Sequence, residues 1–111
     1  MTNRLTLLLD LLANAPADAF TLFAIAKEYE GAGDDAQALD FYQKLRAADP
    51  NYVGLYYHLG KLHERLGSPE AALEAYRTGM DVAKKARDFH ALNELAGAKM
   101  NLGDFDEEDD F

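Results

Sequence analysis

The feature that most constrains this chain is a period of 34 residues. Residues 56–66 read as a helix, Gly67-Ser68-Pro69 breaks it, and residues 70–76 open a second helix. The same order of residue types stands 34 positions earlier. Pro16 aligns with Pro50, Leu22 with Tyr56, Ile25 with Leu59, Ala26 with Gly60, and Tyr29 with His63. Gly33 aligns with Gly67, Ala38 with Ala72, Leu39 with Leu73, and Tyr42 with Tyr76. The polar columns also hold, with Lys27 over Lys61 and Glu30 over Glu64. A third row enters two residues late, with Leu92, Leu95 and Ala96 in the apolar columns. Self-similarity at this spacing marks a stacked array of one supersecondary unit, in which each unit buries its apolar face against its neighbours.

The period predicts six helices. The first covers 3–14, with Leu5, Leu8, Leu9 and Leu12 at i, i+3, i+4 and i+7 making one buried stripe. Pro16 stops it. The second covers 18–31, with Asp18 as cap and Leu22, Ile25, Ala26 and Tyr29 inward. Gly31-Ala32-Gly33 ends it, and Asp34 or Asp35 caps a third helix running to about Ala48, with Ala38, Leu39, Tyr42 and Leu45 inward. Asp49-Pro50 follows. The fourth covers 53–66. The fifth starts at a Ser68 cap with Pro69 in its first turn and runs to about Lys85. The sixth covers 88–102, with Phe89, Leu92, Leu95, Ala96 and Met100 as its apolar set. Small residues at 26, 60 and 96, and at 38 and 72, allow close helix approach. Tyr29, Tyr42 and Tyr76 are expected to fill the wedge between neighbouring helix pairs.

Charge narrows the function classes. The 111 residues carry a formal charge of −9, and six acids with no base lie in 104–111. The rest is nearly balanced, which disfavours nucleic acid and acidic lipid surfaces, since both need a Lys/Arg footprint. The tail is expected to be disordered, because like charges repel and bury little. The apolar run 5–13 is interrupted by Asp10 and is too short to span a bilayer. A cytoplasmic protein is the expectation. There is no Cys, and the three histidines have no metal-site spacing, since His58 and His63 leave different helix faces. No phosphate loop or nucleophile motif is present. The sequence thus predicts no catalytic residues, no metal and no cofactor.

The columns above resemble the tetratricopeptide repeat family: large, Leu, Gly/Ala and Tyr in a first helix, Ala and an aromatic in the second, and a late Pro. The fragment 52–66 looks like the small stand-alone bacterial members of that family. The resemblance implies an all-α, antiparallel helix-hairpin solenoid of about six helices. It divides the chain into a half repeat at 1–18, repeats at 19–52 and 53–88, a capping half repeat at 89–103, and the acidic tail at 104–111.

The resemblance also implies non-enzymatic protein or peptide binding, through the inner face of each first helix. Carried across, that face holds Phe20, Phe23, Lys27 and Glu30; Tyr57, His58, Lys61, Glu64 and Arg65; and His90, Asn93 and Asn101. Exposed aromatics give contact area at low entropy cost, cations receive carboxylates, and Asn holds a peptide backbone. The carboxylate clamp of chaperone-binding members is not expected, since Phe23 and Lys27 stand where its first Lys and Asn belong. Two alternatives stand beside the adaptor: a homodimer through the terminal helices, using Leu92, Leu95 or Met100, and an accessory subunit of a larger complex. The tail is a candidate for docking into the same face.

Overall fold

The computed structural model describes residues 3–103. Among these residues there are six α-helices and no strand: α1 (Asn3–Asn14), α2 (Ala19–Gly31), α3 (Asp35–Ala48), α4 (Gly54–Arg65), α5 (Pro69–Ala86) and α6 (Phe89–Met100). The fold is the expected all-α array of antiparallel helix hairpins. Residues 104–111, for which the sequence predicts disorder and docking, lie outside the described residues. The chain divides into two compact units, Met1–Tyr52 and Val53–Phe111.

In the first unit α1 packs on α2, and α2 pairs with α3. Asp18 caps α2, accepting from the Thr21 N–H at 2.9 Å and the Thr21 hydroxyl at 2.6 Å. These bonds, the hydroxyl's first, hold the Asp18 carboxyl below its ordinary range. Asp34, one of the two candidates, caps α3 by accepting from the Gln37 N–H at 3.1 Å. Leu22, Ile25, Ala26, Ala38, Tyr42 and Leu45 form the core. Tyr29 is only half-buried and stacks on buried Phe41, with ring centroids 5.7 Å apart. In α1, Leu5 and Leu8 are buried, while Leu9 and Leu12 are half-buried.

In the second unit α4 pairs with α5, and α5 with α6. Tyr56, Leu59, Leu62, Ala72, Tyr76 and Ala83 have no exposed surface. Gly60 lies under the Tyr76 ring. A Cβ there would stand 2.6 Å from Tyr76 Cζ, so only Gly admits the contact. Tyr76 therefore fills space inside its own hairpin rather than the expected wedge between pairs. Gly79 does the same for Tyr56 and Leu95, whose Cβ and Cδ1 lie 2.5 and 3.0 Å from where its side chain would begin. Ser68 sits at the α5 cap position without a side-chain cap bond; Pro69 opens the helix.

The turns after α2, α4 and α5 share one geometry. The Asp34 N–H donates to the Tyr29 carbonyl, Ser68 to His63 and Asp88 to Ala83, each at 2.9 Å. Each such closure places the preceding residue in the left-handed region. That residue is Gly33 (φ 81°), Gly67 (φ 76°) and, in the third turn, Arg87 (φ 58°). Asp88 then caps α6, accepting from the Ala91 N–H at 3.0 Å.

The sixth helix corrects one expectation. Leu95 and Ala98 are buried, but Phe89 is 56 % and Met100 77 % exposed. The packed side faces α5, which turns Phe89 and Met100 outward.

Candidate peptide-binding face

Each unit contains the same four-residue network. In the first, Phe23, Lys27 and Glu30 lie along α2, and Tyr42 reaches them from α3. The Tyr42 hydroxyl donates to Glu30 Oε1 at 2.6 Å, and Lys27 Nζ stands 3.9 Å from the same oxygen. In the second, Tyr57, Lys61 and Glu64 lie along α4, and Tyr76 reaches them from α5. The Tyr76 hydroxyl donates to Glu64 Oε2, and Lys61 Nζ lies 3.8 Å from that oxygen. A buried phenol needs a partner for its hydroxyl, and a carboxylate gives a charge-assisted bond. Burial, then this bond, pushes the Tyr76 hydroxyl far above the usual phenol range.

The two networks differ at the aromatic. Phe23 is half-buried against Tyr42 and Tyr52, with centroids 6.2 and 5.4 Å away. Burial and the charges of Asp49 and Asp18 raise the Tyr52 hydroxyl above its ordinary range. Tyr57 instead lies under Lys61, whose Nζ is 5.7 Å from the ring centroid, and His58 meets it edge-on. The Lys61 side chain keeps 36 % of its surface exposed. This pair offers a cation and an aromatic face together, which suits a carboxylate beside an apolar group.

The remaining predicted residues lie outside these networks. Phe20 is 68 % exposed on α2. Arg65 ends α4 and is exposed. His90, Asn93 and Asn101 are exposed along or just after α6. Sequence reasoning assigned Glu30 and Glu64 to ligand contact and missed their bonds to Tyr42 and Tyr76. The signal was available, since both pairs are separated by 12 residues. It also missed Tyr52. Among the described residues no group of three or more His, Asp or Glu could hold a metal ion, and no helix is long and apolar enough to cross a membrane.

Helix hairpins repeating every 34 residues, with glycines packed against Tyr56 and Tyr76 in the second unit, define a helical-repeat protein. The tetratricopeptide repeat profile matches residues 29–93, and the chain belongs to that family. Its fold generally mediates protein–protein interaction, and its members are generally non-catalytic scaffolds. The chain is 29 % identical over 85 residues to a TPR repeat-containing protein of Pseudomonas aeruginosa, covering 77 % of this chain and 81 % of the relative. The crystal structure of a tetratricopeptide repeat domain protein from Salinibacter ruber is 40 % identical, with TM-score 0.74. The match covers 77 % of this chain and 94 % of that one. The solution structure of a Bordetella parapertussis protein shares the fold at TM-score 0.80 and 24 % identity, over 96 % of this chain and 92 % of that one.

Proposed function

We propose that this chain is a non-enzymatic, cytoplasmic adaptor that binds a protein or peptide through the exposed faces of its first helices, with α4 carrying the main contact. The observation that carries this reading is the partly exposed Lys61 side chain, with its ammonium over the Tyr57 ring. Lys61 stands 3.8 Å from Glu64, which Tyr76 already engages, so the lysine is biased toward the ring before a ligand arrives. The expected ligand is a peptide with a carboxylate next to an apolar side chain. In the first unit, taken by itself, Phe23 is covered by Tyr42 and Tyr52, so the corresponding face of α2 presents mainly Lys27 and exposed Phe20.

The test is affinity selection of the full chain against a random peptide library, followed by titration of the enriched peptides. Enriched sequences should contain acidic residues and should lose binding to Tyr57→Ala and to Lys61→Glu. Peptides that bind both variants as well as the wild type would overturn the reading.

A second reading, self-association through terminal helices, is favoured by the exposure of Leu7 and Leu11 on α1 and of Met100. Leu95 drops out as an interface residue, being buried within its unit, and Leu92 is half-buried. Light scattering over a dilution series checks this. A dimer lost on Leu11→Asp or Met100→Asp supports it, and a monomer at every concentration removes it.

A further inference from the structure

A second surface lies at the turn from α5 to α6, away from the α4 contact proposed above. Lys84, Lys85 and Arg87 cluster there, all exposed, and Asp88 is the sole carboxylate between Val82 and Asn93. Asp88 is engaged with the Ala91 N–H. Asp81, one turn back on α5, pairs with neither lysine among the described residues. Cations in the last turn offset the helix dipole, which accounts for the two lysines. It does not account for Arg87. The turns after α2 and α4 place Gly at the left-handed position, whereas this turn holds an arginine at φ 58°. A long side chain in that conformation is strained, and its guanidinium extends over the exposed Phe89 ring at 5.9 Å.

From this turn an exposed stripe runs along α6: Phe89, Asn93, Gly97 and Met100. It carries no charge. A Cβ at Gly97 would meet nothing within 4 Å, so the stripe is open at its middle. Its far end, Met100, lies three residues before Gly103, where residues 104–111 begin. Those eight residues hold six acids and two phenylalanines.

We propose that residues 104–111 fold back along this stripe in the same molecule and seat their carboxylates on Lys84, Lys85 and Arg87. The reach is sufficient. A 12-residue helix is about 18 Å long, and eight extended residues span about 27 Å. With Phe105 set beside Met100, an extended tail brings its last acids, Asp109 and Asp110, to the basic turn. The opposite charges supply the attraction, and the apolar ends fix the direction. The docked tail covers an uncharged face that α5 leaves open.

The test uses the full chain, which has no native Cys. A nitroxide on Asp109→Cys reports on nearby amides through loss of signal in an amide NMR spectrum. Dilute labelled protein should lose signals from residues 84–93, and the reduced label should restore them. Lys84→Glu/Lys85→Glu should abolish the loss without altering the rest of the spectrum. Arg87→Gly should weaken it while relaxing the turn. High salt should also weaken it. Signal loss confined to residues 98–103 would overturn the proposal, as would loss that survives the double charge reversal. Loss seen only on mixing spin-labelled chains with isotope-labelled, nitroxide-free ones would assign the contact to a second copy and likewise overturn it.

Discussion

At Gly60 and Gly97 the same substitution should have opposite signs. Both glycines lie inside helices, where Ala is intrinsically better by about 1 kcal/mol. At Gly97 there is open space, so Gly97→Ala should stabilise the protein by about that amount. At Gly60 the new methyl would overlap the buried Tyr76 ring, so Gly60→Ala should destabilise by about 1–3 kcal/mol despite the gain in propensity. Chemical denaturation of both variants checks the pair. The Tyr76 hydroxyl makes a second prediction at this scale. Removing it with Tyr76→Phe costs about 1 kcal/mol, because Glu64 keeps Lys61 and some solvent. In a double-mutant cycle with Glu64→Ala, the effect of Tyr76→Phe should largely vanish. Burial of this hydroxyl, and then its bond to Glu64, make stability fall at high pH. The Tyr76 pKa is raised in the folded state, so the neutral phenol is the form that folding favours. Its contribution is complete below the unfolded value, near 10, and is lost as pH rises above it. Melting temperature should drop above pH 10, with a smaller drop in Tyr76→Phe.

At the scale of the element, helix ends were the most legible part of the sequence. Pro16, Asp18, Asp34, Gly33 and Gly67 act locally, through a missing donor, a side-chain acceptor or a left-handed turn, so a few neighbouring residues suffice to place them. The 34-residue period then supplied the pairing of helices. The inward face of α6 was less legible. Phe89, Leu92 and Met100 fit a helical stripe as well as Leu95 and Ala98 do, and the choice depends on which neighbour covers the helix. Here α5 supplies the cover, and Gly79 admits Leu95. In the proposed binding face, Lys27 and Lys61 stand at matching columns of the period, each beside its glutamate. The bonds from Tyr42 and Tyr76 were missed, since they join two helices across 12 residues. The turn after α5 gives the prediction for this scale. Arg87→Gly should stabilise by up to about 1 kcal/mol, because Gly takes the left-handed conformation without strain. Thermal unfolding checks it, and a loss of stability would show that the arginine's contacts outweigh the strain.

At the scale of the whole molecule, each unit closes its own core around small residues and buried tyrosines. The polar groups that face outward are therefore free to differ without cost to the fold. This separation lets a family with one architecture serve many partners, and it is why the partner of this chain is not written in its core. What the chain does write is a chemistry: a cation over an aromatic ring on α4, held by a carboxylate that an internal tyrosine has already engaged. The most direct test is calorimetric titration of a library-selected acidic peptide into wild type and the Tyr57→Ala/Lys61→Glu double variant. The account predicts that the double variant, still folded by circular dichroism, binds at least about tenfold more weakly, a difference of about 1.4 kcal/mol. Equal affinities, within about twofold, would contradict it and move the working surface away from α4.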